Sequence, residues 1–240
     1  MAQTPTNVED GRPISRVALT EMPATHPFIT NPVPVGVGGF ALTTFTLGLM
    51  TSGFFPSAEA LLVIPLAGFY GGLVQMVAGF FALRRGDLFP AAFMTTYGAF
   101  WWSYDVLILY VVPGVAKAGG AAGAHDAAQA VTIFLVMWSV ITFIFLVATL
   151  GTNWMVFLTF CEFLATLIVA DIGAWTGISQ ASGLGTGIGE MLLAAMAWYI
   201  VGAEVVNETV KRPVFPLFPF KKPFFTPLTP PVHYPEHVQP

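Results

Sequence analysis

Six long apolar stretches follow one another along the 240-residue chain, at about 34–55, 60–82, 90–112, 129–150, 154–174 and 184–205. Each is close to the ~20 residues that a helix needs to cross a hydrocarbon core of roughly 30 Å. Short strands of alternating polarity, the mark of a membrane barrel, do not recur. The pattern predicts an all-α polytopic membrane protein with six transmembrane helices. Residues 1–30 form an N-terminal tail, 31–210 the six-helix domain, and 211–240 a Pro-rich C-terminal tail. The connections at 56–59 and 151–153 are short enough to make tight helical hairpins. The stretch GVAKAGGAAGAHDAAQ, from Gly114 to Gln129, is Gly/Ala-rich and is expected to be a flexible loop. Proline bars the last tail from continuing a helix, and its Phe residues predict that it lies on the protein or the membrane interface.

Composition agrees with the pattern. Hydrophobic residues make up 55% of the chain and charged residues 9%, against roughly 25% in soluble domains. Mean hydropathy is +0.74. Charge position matters more than the net −4. Eight of the nine basic residues flank the spans on one side: Arg12, Arg16, Arg84, Arg85, Lys211, Arg212, Lys221 and Lys222. Only Lys117 falls on the other side. The positive-inside rule then predicts cytoplasmic termini in a plasma (inner) membrane, and the asymmetry supports six spans independently. A single cysteine, Cys161, excludes an intramolecular disulfide. No signal peptide is expected, because the first thirty residues hold no apolar run before a small-residue cleavage site. No nucleotide-binding loop or metal cluster is seen, so neither an enzyme nor a cofactor, metal or nucleic-acid partner is expected.

The first span begins NPVPVGVGGF. Asn31 reads as an N-cap with Pro32 at the first helical position, and Pro34 still lies in the first turn. The prolines remove orphan donors where the chain enters lipid, and the remaining terminus presents a partial positive charge to an anion. Gly36, Phe40, Thr44 and Gly48 recur every four residues, flanked by Thr43. Small residues on one face mean close packing; a Phe among them suggests a narrow pore closed by one aromatic. In the second span, Gly68 and Gly72 form a packing pair, and Gln75 is an amide in need of a partner. In the third, Tyr97, Trp101 and Asp105 share a spacing of four, and Trp and Tyr also mark membrane interfaces.

The segments NPVPVGVGGF, FYGGLVQMVAG, RRGDLF…TTYGAFW and AWYIVGAEVVNE resemble, in order and spacing, the signature stretches of the acetate uptake transporter family, the succinate–acetate permeases. The resemblance covers about residues 31–210 and implies six spans, a pore in each subunit and a homo-hexamer. It implies transport of acetate and related short carboxylates, succinate among them, as symport with protons or by a channel. By motif matching the constriction falls on Phe40, Tyr97 and Phe163, the last where the family usually carries an aliphatic side chain. A Phe there would narrow the gate or favour a smaller substrate. Asn31, Pro32, Pro34 and Gly36 match the opening motif, and Glu204 and Asn207 match the end of the last helix. Thr43, Thr44 and Gln75 complete the expected substrate path.

The chain departs from that pattern at Glu162, Asp171 and Glu190, where the family is apolar or small. With Asp105 and Glu204 these are the candidates for proton linkage. An ionised carboxylate in mid-bilayer costs at least ~2.5–3.5 kcal/mol, so such an acid is neutral, turned from the pore, hydrogen-bonded between helices, or carrying protons. His26, His125, His233 and His237 lie in tails or loops. Two rival readings remain open: a proton-gated channel for a small neutral solute such as urea or ammonia, and a non-conducting membrane sensor or scaffold using its Pro-rich tail.

Overall fold

The computed structural model describes residues 8–9, 12–13, 29–56, 61–176 and 179–221, with the backbone alone at 8–9, 12–13 and 179–182. Most of the first tail, the 57–60 connection and the chain beyond 221 lie outside the described residues, with His26, His233 and His237. Six helices long and apolar enough to cross a membrane dominate the fold. They are α1 (Val33–Thr51), α2 (Val63–Arg85), α3 (Leu88–Ala118), α4 (Gly123–Thr149), α5 (Trp154–Thr176) and α6 (Ser179–Val210). Near the N-terminus, two-residue strands Val8–Glu9 and Arg12–Pro13 pair antiparallel.

The helices close into a ring. α1 packs along α6, α2 along α3, α4 along α5, and α5 along α6. Glycine sets the α1–α6 approach: a Cβ on Gly187 would lie 2.6 Å from the Gly48 carbonyl, and one on Gly48 would lie 2.7 Å from the Gly187 carbonyl. The α2–α3 hairpin turns at Gly86, whose φ of 83° suits glycine, and Arg85 pairs with Asp87 at 3.1 Å. Both α2 and α3 contain π-helical stretches, Ala67–Val74 and Leu107–Val111. Trp102 Nε1 donates to the Gly68 carbonyl in the first of them, at 2.9 Å.

Three expectations change. The Gly114–Gln129 stretch is mostly helical, because its alanines extend α3 to Ala118 and start α4 at Gly123. The turn shrinks to Gly119 and a short 3₁₀ segment, Gly120–Ala122, with Gly120 at φ 54°. At the start of α1 the N-cap is Pro32 rather than Asn31. Asn31 still serves the terminus from one residue back, since its Oδ1 accepts from the Val33 amide at 3.1 Å. Finally, the stripe Gly36–Phe40–Thr44–Gly48 does not stay on one face. Steps of four overshoot a 3.6-residue turn by about 40° each. Gly36 therefore meets Met94 of α3, while Gly48 meets α6.

The described part of the last tail lies on the protein. Asn207 receives the amides of Val214 and Phe215 and donates to the Phe215 carbonyl. Tyr199 donates to the Pro216 carbonyl at 2.8 Å. Carbonyls of Phe218 and Leu217 then accept from the Trp154 and Met155 amides, which open α5. Phe220 stacks on Trp154 at 5.0 Å.

Candidate functional site

The helices surround two cavities placed end to end. One, of about 230 Å³, lies toward the end of the bundle that carries both termini and is lined by Val33, Phe89, Asn153 and Glu204 among others. The other, of about 350 Å³, lies toward the opposite end and is lined by Thr51, Tyr104, Thr186 and Glu190 among others. We call them the inner and outer cavities. Phe40 and Phe163 line both.

Alternating steps of three and four keep the lining residues on one helix face, as 3.6 residues per turn require. On α1 the lining runs Val33, Val37, Phe40, Thr44, Leu47, Thr51; on α6 it runs Thr186, Glu190, Leu193, Ala197, Ile200, Glu204. α3 contributes a column of rings, Phe89, Phe93, Tyr97, Phe100 and Tyr104, whose neighbours stack at 5.2 to 6.1 Å from Phe93 onward. No described residue of α2 lines either cavity.

Phe40, Tyr97 and Phe163 come together between the cavities. Their ring centroids are 5.9, 4.9 and 5.3 Å apart for Phe40–Tyr97, Tyr97–Phe163 and Phe40–Phe163. All three are buried. Each such ring pair adds about 0.5–1.5 kcal/mol beyond area burial. Tyr97 is held by a hydrogen bond between its hydroxyl and that of Thr142 on α4, and Thr142 also donates to the Trp138 carbonyl at 2.7 Å. Phe93 and Phe160 extend the cluster on its inner side.

The remaining expected site residues divide by position. Thr44 lines the outer cavity, and its buried hydroxyl has no hydrogen-bonding partner. Thr43 faces α2, bonds back to the Gly39 carbonyl, and packs against Gly71. Gly36 packs on Met94 and Ala78. Gln75 is fully buried, lines neither cavity, and leaves both amide atoms unpartnered. Asn31, Pro32 and Pro34 sit where α1 begins. Asn31 Nδ2 donates to Glu204 Oε2 at 2.8 Å, and Thr30 to Glu208 at 3.5 Å, so the positive end of α1 faces two acids of α6.

The acids separate clearly. Only Glu190 and Glu204 line a cavity. Asp171 accepts from Ser139 of α4 at 2.9 Å. Glu162 accepts from Thr166 of its own helix at 3.3 Å. Asp105 is turned toward Gly68 of α2. Sequence reasoning missed Thr142, the hydroxyls of Thr51, Thr166 and Thr186 on the outer cavity, and the ring column of α3. The column had a signal, aromatic residues at steps of four and three from Phe89; Thr142, one of several hydroxyls spread along an apolar helix, had none.

The chain as a whole is similar to known proteins. The chain matches the GPR1/FUN34/yaaH family over residues 16–222. It is 30% identical over 192 residues to the succinate-acetate/proton symporter SatP of Escherichia coli K12, covering 79% of this chain and 95% of that protein. It is also 30% identical over 183 residues to ammonia transport outward protein 2 of Saccharomyces cerevisiae, covering 76% of this chain and 64% of the relative. The solved structure of the bacterial acetate channel SatP superposes with a TM-score of 0.68 at 29% identity, over 78% of this chain and 98% of that one. With its six membrane helices and this match along most of its length, the chain is a multi-pass membrane protein of the GPR1/FUN34/yaaH family.

Proposed function

We propose that the chain passes acetate and related short carboxylates, succinate included, across a plasma membrane along the axis joining the two cavities. Phe40, Tyr97 and Phe163 form the constriction, and both termini face the cytoplasm. One observation carries this reading: two cavities lie in line within a single chain and are separated by three buried rings, two of which line both. Polar groups beside apolar walls suit a small carboxylic acid, whose methyl and carboxyl ends need different surroundings. The function is transport without covalent chemistry, linked to protons, in a homo-hexamer with one pore per subunit.

The test is flux of labelled acetate into liposomes holding the purified chain, with and without an imposed pH gradient. Protein-free liposomes set the baseline, because acetic acid crosses bilayers unaided. Acetate flux above that baseline, raised by an inward proton gradient, is expected. The kinship to an ammonia transport protein makes ammonium, together with urea, the comparison solute. Selective flux of either sinks the carboxylate reading, and absence of all flux favours a sensor or scaffold.

A further inference from the structure

The outer cavity contains an acid without a counter-charge. Glu190 projects from the lining face of α6 into a cavity whose wall also holds the Thr51 side chain of α1. Its Oε2 is buried and has no hydrogen-bonding partner. Thr44 Oγ1, on the same wall as Thr51, is likewise buried and unpartnered. Among the described residues no Lys, Arg or His lines this cavity. From α3, Tyr104 lines the same cavity, while Asp105 is turned away toward Gly68 of α2. On α5, Glu162 is engaged by Thr166 and Asp171 by Ser139 of α4, and no charged residue of α1 or α4 lines the cavity. The volume of about 350 Å³ lies within the roughly 300–1,000 Å³ of small-molecule sites.

We propose that Glu190 is a substrate-binding group that holds the carboxylate of a small monocarboxylic acid by sharing one proton with it. This rests on the reading that the chain passes short carboxylates. Two ionised carboxylates at hydrogen-bond distance repel strongly, and such pairs hold one proton between them. A carboxylate that enters with one proton leaves the charge of the cavity unchanged, whereas one that enters alone puts a second negative charge in a wall without bases. The unpartnered Glu190 oxygen supplies one end of the shared O–H···O bond, and the Thr44 hydroxyl is free to donate to the substrate's other oxygen. The proton comes from solution with the substrate and leaves with it. The inner cavity differs, since its acid, Glu204, is already engaged by Asn31.

Binding of labelled acetate to the detergent-solubilised full chain, measured across pH, tests this. Wild-type affinity is expected to fall about tenfold per pH unit on the alkaline side, the slope for one linked proton. Glu190→Gln keeps a donor but has no proton to share, so its affinity should vary by less than about twofold over that range. Glu190→Ala serves if the Gln variant does not fold, and it should lose the slope together with part of the affinity. An alkaline slope in either folded variant equal to that of the wild type overturns the proposal, as does a flat wild-type profile. Retention of ammonium instead of acetate, abolished by Glu190→Gln, also overturns it, making the cavity a cation site. Absence of acetate flux in wild-type liposomes sinks the underlying functional reading; normal flux with an unchanged slope in Glu190→Gln sinks only the role of Glu190.

Discussion

Phe163 touches both Phe40 and Tyr97 and lines both cavities. A branched aliphatic side chain there removes a flat ring from a three-ring cluster while keeping the site apolar. Phe163→Leu should therefore raise lactate flux relative to acetate several-fold in liposomes; an unchanged ratio in folded protein argues against a constriction at this ring. Thr142→Val removes the hydroxyl that fixes Tyr97 and should cost on the order of 1 kcal/mol, seen as a lower melting temperature in detergent. Asp171→Asn and Glu162→Gln should leave the pH profile of acetate flux as in wild type, because their carboxyls engage Ser139 and Thr166 and line no cavity. A flattened profile in either variant would place the proton step away from Glu190. At this scale the sequence was partly legible. Phe163 lies in a helix without a motif of fixed offset and was matched by position alone, whereas Phe40 and Tyr97 could be named because each sits in one. Which acid meets a cavity could not, because one residue of rotation, about 100°, separates a lining position from a buried seam.

At the α1–α6 seam backbone approaches backbone, and glycine makes it possible. A side chain at Gly187 would run into the Ser52 amide and the Gly48 carbonyl, both backbone. Gly187→Val should force the helices apart and destabilise the protein by about 1–3 kcal/mol, the usual range for overpacking. A Cβ added at Gly202, on the same helix, would meet nothing within 4 Å, so Gly202→Ala should be neutral or stabilising by up to ~1 kcal/mol. Thermal unfolding of both variants in one detergent checks the contrast; equal losses would mean that helix propensity, not the seam, governs. Helix existence and number were legible from apolar length, because the hydrocarbon thickness imposes that length. Helix ends were less so. Glycine in the Gly114–Gln129 stretch suggested a loop, yet alanine, the best helix former, carried both helices into it. The drift of an i+4 stripe likewise concealed that Gly36 and Gly48 serve different neighbours.

Across the whole molecule, the described tail straps the end of the bundle that carries the inner cavity. It accepts from the first amides of α5 beside Asn153, a residue of that cavity's wall. Removing residues 211–240 should speed hydrogen exchange at the Trp154 and Met155 amides while leaving the mid-helix amides of α5 protected. Unchanged exchange there would show that the tail adds nothing to that end. The phenylalanines predicted that the tail would lie on a surface, but its path depends on Asn207 and Tyr199, which no local pattern links to it. The ring of helices also closes between its first and last members, and the order of synthesis gives this a consequence. Gly48 leaves the ribosome 139 residues before Gly187. At roughly 5–20 residues per second, that is a wait of about 7–28 s. Throughout it the Gly48 end of α1 lacks the helix it packs against. The nascent protein must be sheltered over that interval by the insertion machinery or by its own second and third spans, so slowed elongation late in the message threatens the first helix more than the last.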